Sequence, residues 1–232
     1  MLRLFVPIAL LLIGCAQDNH YDRFGAEFLG LPYLNNPLGE GVAPDSDPTI
    51  RFDAFDCATF TETVLANSDI DKLNKIRYRD GKIDFLHRNH FIETDWLQNN
   101  SDIVQNASGL YAPTKTRRVT INKRKWFKTV HNTDVDFATQ TVDLEYIPYA
   151  DAHNINIYEP MVVLFIVDSP KIRNKTGTDL AVRHMGFLLP DGRLRHASRR
   201  KKHVVDDDFH EYINRMVENK NNLGIMLLEI KK

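Results

Sequence analysis

The sequence predicts an α+β protein, with helices concentrated in its first half and strands in its last third. Three observations carry that expectation. Cys57, Phe60, Val64 and Leu65 recur at helical spacing behind Asp53 and Asp56. Met161 to Val167 is an unbroken apolar run of the kind buried strands show. Two β-favouring segments, His184 to Leu189 and Arg193 to Ser198, flank the turn former Pro190-Asp191-Gly192 and read as a hairpin.

Taken in order, Tyr21 to Pro48 is rich in Gly, Pro and Asn, including Leu29-Gly30-Leu31-Pro32-Tyr33 and Gly39-Glu40-Gly41, and predicts turns. Phe52 to Ala66 predicts a helix that begins at or near Cys57, with Glu62 in its early turns. Ile70 to Tyr78 and Phe91 to Val104 carry weaker helical periodicity, and Arg79-Asp80-Gly81 lies between them as a turn. Asn106 to Ile157 mixes its signals, with short β-favouring pieces at Arg118 to Ile121 and Thr141 to Ile147. After the hairpin, Val204 and Val205 predict a further strand. Asp207 to Val217 predicts a helix capped by Asp207 or Asp208, and Ile225 to Ile230 a closing strand.

Composition narrows the function classes. The chain has 232 residues, 43% hydrophobic and 26% charged, with 30 Lys+Arg against 31 Asp+Glu for a net charge of -1. A high apolar fraction with a net charge near zero excludes a disordered chain, and the lack of basic excess argues against a nucleic-acid partner. With only two cysteines, Cys15 and Cys57, no disulfide framework holds the fold.

The first cysteine ends an address. Arg3 and an apolar run from Leu4 to Ile13, too short to span a bilayer, read as a secretory signal. Its end, Leu12-Ile13-Gly14-Cys15, resembles the bacterial lipoprotein lipobox. That resemblance implies a signal peptide over 1–14, lipidation of Cys15, a polar tether over 15–24 and one folded domain over 25–232. The expected partner is then a membrane, reached through acyl chains in a bacterial envelope facing the periplasm, with the outer membrane preferred. A plain signal peptide with an incidental cysteine is the alternative.

If Cys15 is acylated, Cys57 is the one free thiol in an oxidising compartment. At a helix N-terminus a thiol meets the positive end of the macrodipole and several unpaired N–H groups, which favour the thiolate and can hold an oxyanion. Burial as an ordinary core cysteine among Phe55, Ala58 and Phe60 is the competing reading. A catalytic cysteine needs a histidine base, commonly oriented by a third polar group. Of nine histidines, His184 and His196 fall on the two strands of the predicted hairpin. A three-residue Pro190-Asp191-Gly192 loop pairs Leu189 with Arg193, which puts His184 opposite Ser198 and His196 on the same face as a diagonal neighbour. A two-residue Asp191-Gly192 turn pairs His184 with Arg199 instead and puts the two rings on opposite faces.

Phe55-Asp56-Cys57-Ala58-Thr59-Phe60, Arg183-His184-Met185-Gly186-Phe187 and Leu194-Arg195-His196-Ala197-Ser198 resemble, in that order, the three signatures of the NlpC-type, papain-like cell-wall hydrolases. Leu29 to Tyr33 resembles the segment that precedes the cysteine in that superfamily. Ile76 to Gly81, Asp95-Trp96 and Tyr146-Ile147-Pro148 resemble its N-acetylmuramoyl-L-alanine amidase-like branch. The resemblance implies a papain-like fold, its N-terminal cysteine helix packed on a mainly antiparallel sheet. It implies Cys57 as nucleophile with its own N–H in the oxyanion hole, His184 as base, His196 as orienter, and Tyr33 and Asp56 as substrate contacts. Ser198, beside them on the hairpin face, is a third candidate contact. The implied substrate is peptidoglycan or a muropeptide, cut between the muramoyl lactyl group and L-alanine, with no cofactor and no metal; the sibling activity, cleavage between D-glutamate and the diamino acid of the stem peptide, uses the same catalytic residues and is the alternative. The basic segment Lys115 to Lys125 matches nothing in that pattern.

Two rivals remain. His87-Arg88-Asn89-His90 has the HxxH spacing of a zinc hydrolase but lacks a clear third ligand. A non-catalytic binding lipoprotein would use Arg199-Arg200-Lys201-Lys202-His203 on anionic wall groups, although such a run beside Asp206 to Asp208 also fits a solvated turn.

Overall fold

The computed structural model describes residues 25–232, so the leader, Cys15 and the tether lie outside the described residues. Eight strands form one antiparallel sheet among them: β1 (Val104–Asn106), β2 (Lys115–Ile121), β3 (Gln140–Pro148), β4 (Met161–Val167), β5 (Val182–Leu188), β6 (Arg193–Ser198), β7 (His203–Asp208) and β8 (Asn222–Ile230). They run in the order β2-β3-β8-β4-β5-β6-β7, with β1 also paired to β8. The expected α+β class, with the cysteine helix packed on an antiparallel sheet, is what the chain adopts.

The continuous apolar run of β4 has a direct cause. β4 is hydrogen-bonded on both edges, to β5 and β8, and both its faces are covered. Val162, Leu164 and Ile166 point into one core, with Phe60, Leu65 and Trp96; Met161, Val163 and Phe165 point into the other, with Phe209 and Ile213. A strand buried on both faces loses the polar alternation of a half-exposed one.

The first core is roofed by the helix Cys57–Ala66 and the helix Ile70–Arg77, the second by the helix Phe209–Val217. The hairpin is closed as the three-residue loop requires. Leu189 N–H donates to Arg193 O at 2.9 Å, Phe187 faces Arg195 and Leu188 faces Leu194. Gly192 supplies the left-handed residue at φ 82° that this loop needs.

Three segments depart from expectation. Phe91 to Val104 is not one helix: a π-helical turn, Ile92–Trp96, runs into Leu97–Asn99 and then into β1. The basic segment divides between β2 and a helix, Lys123–His131, capped by the Asn122 side chain on Lys125 N–H. Its apolar residues, Trp126, Phe127 and Val130, make too narrow a stripe to stand out from six nearby cations. A short helix, Pro170–Thr176, follows β4 with Ser169 as cap and Pro170 in its first turn.

Candidate active site

Asp56 caps the helix Cys57–Ala66. Its Oδ1 accepts from Thr59 N–H at 2.9 Å, while Thr59 Oγ1 accepts from Asp56 N–H at 3.0 Å. Cys57 is thereby the first helical residue. Backbone N–H groups of Met185, Ala58 and Cys57 itself lie within hydrogen-bonding reach of its sulfur, so donors converge from both the helix and β5.

The protonation state differs from the expected thiolate. Burial, with the Asp56 charge beside it, pushes the Cys57 thiol up to about 12, and this outweighs the donors and the helix end. Burial, with His196 next to it, holds the His184 imidazole well below its ordinary value. The resting pair is therefore a neutral thiol and a neutral imidazole.

His184 Nε2 lies 2.6 Å from His196 Nδ1. The register of Phe187 with Arg195 places Gly186 directly opposite His196. A Cβ at Gly186 would come within 2.8 Å of His196 Cβ and 2.7 Å of Arg195 O, so the missing side chain lets the two strands and rings approach. Tyr212 packs against both rings, 6.1 Å from His184 and 5.4 Å from His196 between centroids, and Phe165 lies 5.5 Å from His184.

A residue not singled out from the sequence completes this line. Asp207 Oδ2 lies 3.3 Å from His196 Nε2, and Lys201 Nζ donates to Asp207 Oδ1. The His196 bond, then Lys201, hold the Asp207 carboxyl below the usual carboxylate range. A signal for it existed: β6 and β7 pair with His196 opposite Val205, so the alternation that links His184 to His196 leads two residues on to Asp207.

Cys57, His184 and Met185 line one cleft of about 500 Å³ together with Asp56, Glu62, Arg77, Arg88 and the face of the basic helix that carries Trp126, Val130 and His131. Arg88 ties the wall down through Glu40, at 2.7 and 2.6 Å, and Asp45, at 2.8 Å. At its floor, Glu62 accepts from Trp96 Nε1 at 3.1 Å and lies 3.5 Å from Arg77; burial pushes its carboxyl up to about 7.

Of the other sequence candidates, Asp56 lines the cleft as well as capping the helix. Tyr33 bridges to Phe55, and burial, with Cys57 and the Asp56 carboxylate close by, raises its phenol to about 12. Ser198 is buried, and its Oγ accepts from Lys201 N–H at 3.2 Å, which closes the turn rather than facing the cleft. The HxxH histidines have separate partners. His87 bonds Asp84 at 3.0 Å, and His90 donates to Phe85 O at 2.6 Å inside an aromatic cluster whose burial takes it down to about 3. Among the described residues no group of three or more His, Cys, Asp or Glu has the spacing to hold a metal ion.

No curated protein matches the sequence. Among solved structures, a Legionella pneumophila protein superposes with a TM-score of 0.83 at 23% identity, over 92% of this chain and 88% of that one. An N-acetylmuramoyl-L-alanine amidase from Bacteroides uniformis superposes with a TM-score of 0.72 at 25% identity, over 92% of this chain and 99% of that one. The family model described as N-acetylmuramoyl-L-alanine amidase-like, AmiA-like, matches residues 23–220. With nearly the whole described chain inside that match, this protein belongs to the N-acetylmuramoyl-L-alanine amidase-like family.

Proposed function

We propose that this chain is a papain-like cysteine amidase that cleaves the bond between the N-acetylmuramic lactyl group and L-alanine in peptidoglycan or its muropeptides. The observation that carries this reading is the placement of Cys57 and His184 on one cleft, with the buried His196 bonded to His184. The Cys57 sulfur attacks the lactyl carbonyl carbon as its proton passes to His184. The oxyanion is held by the N–H of Cys57, and the amine of L-alanine leaves with the proton from His184. Water, deprotonated by His184, then hydrolyses the thioester and releases the muramic acid carboxylate.

Because the resting pair is neutral, proton transfer and attack are coupled, and the charge separates only as the oxyanion forms. No step requires a metal or an organic cofactor. Lipidation at Cys15 would tether the domain to the envelope membrane, with 25–232 as the catalytic part.

Digesting defined muropeptides and reading the products by mass spectrometry tests the assignment. Wild type should release an intact stem peptide, and Cys57→Ala should release none. A sugar-bound L-alanyl-D-glutamate product would assign the cut to the bond between D-glutamate and the diamino acid instead. Full activity in Cys57→Ala, with loss on chelation, would overturn the cysteine mechanism.

A further inference from the structure

We infer that Asp207 is a positioning residue which, acting through two imidazole rings in series, sets the direction in which His184 can move a proton. This rests on the cysteine–histidine reading above. An ionised carboxylate only accepts hydrogen bonds, so the contact between Asp207 Oδ2 and His196 Nε2 requires the proton of His196 to sit on Nε2. A neutral ring protonated there has a bare Nδ1. The 2.6 Å contact from His196 Nδ1 to His184 Nε2 then requires His184 to be the donor, protonated on Nε2. The nitrogen left on His184 is Nδ1, with its lone pair free to take the thiol proton.

The carboxylate is itself anchored. Lys201 Nζ donates to its other oxygen, and Arg215 Nη2 lies 3.6 Å from Oδ2. Two cations beside one carboxylate keep it ionised, and the Lys201 bond to Oδ1 leaves Oδ2 to His196. Tyr212 packs against both rings and limits their rotation. When His184 becomes cationic, the added charge is spread toward Asp207 through the same two bonds.

The arrangement makes the isosteric change Asp207→Asn informative. Lys201, which bonds the group directly while Arg215 stands off at 3.6 Å, can only donate, so it selects the amide oxygen, and the amide nitrogen turns to His196 Nε2 as a donor. His196 must then carry its proton on Nδ1, His184 must accept on Nε2, and the proton of His184 moves to Nδ1, the nitrogen that the cysteine–histidine reading uses as the base.

The test combines ring-nitrogen NMR with kinetics. In histidine-labelled wild-type enzyme without substrate, long-range proton–nitrogen correlations should show His184 and His196 both protonated on Nε2. In folded Asp207→Asn both should switch to Nδ1, and kcat on a disaccharide-tetrapeptide muropeptide should fall by about 10²–10⁴ with KM changed less than about threefold. Either ring protonated on Nδ1 in wild type overturns the inference, and this reading needs no variant to fold. So does an Asp207→Asn enzyme with kcat within about threefold of wild type, or one that loses kcat with both tautomers unchanged. Full activity in Cys57→Ala would remove the cysteine reading alone, because the tautomer readings in the resting enzyme do not depend on the nucleophile.

Discussion

His184 and His196 come within 2.6 Å of each other across a hairpin in which Gly186, the residue facing His196, contributes no side chain. The short contact is thus a property of the strand pair as much as of the two rings.

Gly186→Ala should therefore separate β5 from β6 beside the site. A Cβ 2.7 Å from a backbone oxygen cannot be relieved by a rotamer change, so destabilisation of about 1–3 kcal/mol is expected. Turnover of a defined muropeptide should fall at least about tenfold in the folded variant. Urea unfolding and steady-state kinetics measure both; a variant with unchanged turnover would show that the close approach is dispensable.

Alkylation of Cys57 should follow its raised pKa. With the thiol up at about 12, the thiolate fraction at pH 7 is small and rises tenfold per pH unit. Iodoacetamide inactivation followed from pH 6 to 10 should climb steadily through that range. A plateau of fast alkylation already present at pH 6 would instead mean a resting thiolate–imidazolium pair.

Glu62→Gln should change how stability depends on pH. A carboxyl raised from 4.5 to about 7 keeps its proton in the native state where the unfolded chain has lost it, so its contribution to stability falls as pH rises from 4.5 to 7. Partly buried His90 and His184, whose pKa values are lowered, act in the opposite sense below pH 6.5, so the comparison is with the variant rather than with the wild-type curve alone. The stability of wild type relative to Glu62→Gln should drop by about 3 kcal/mol across that window. Urea denaturation at several pH values gives the difference, and a flat difference would contradict it.

Arg88→Met should leave Glu40 buried without its partner. The Glu40 side chain is 2% exposed and holds Arg88 through two short bonds, so breaking the pair is expected to cost about 3–5 kcal/mol. The double variant Arg88→Met/Glu40→Gln should recover part of that loss in thermal unfolding. If it recovers none, the cost comes from Asp45 or from the cleft wall rather than from Glu40.

The elements legible in the sequence were those whose pattern is set by one dominant contact surface. The Cys57 helix shows its apolar stripe and its Asp56 cap. β4 shows an unbroken run because both its faces are covered, and the hairpin shows its turn chemistry and hence its register. The helix Lys123–His131 was not legible, since its cations outnumber the residues it buries and read as a solvated run. Ile92–Trp96 carries helical spacing but accommodates it as a π turn, which places Glu93 to accept from Val182 N–H at 2.8 Å at the start of β5. At the site, Cys57 was singled out by its place at a helix start and His184 and His196 by their places on one hairpin, and the structure sets His184 beside both Cys57 on the cleft and His196 across the strands. Asp207 was hidden in the triplet Asp206-Asp207-Asp208, where Asp208 takes the helix cap and Asp206 binds Arg193 and Arg195. Three identical residues with three jobs cannot be told apart by composition, only by strand alternation.

The two cores on either side of the sheet divide the site between them. The Cys57 helix and Trp126 pack on one, whereas Phe165 and Tyr212, which flank the imidazole pair, belong to the other. Changes in groove shape and changes in acid–base chemistry therefore fall on different layers of the molecule.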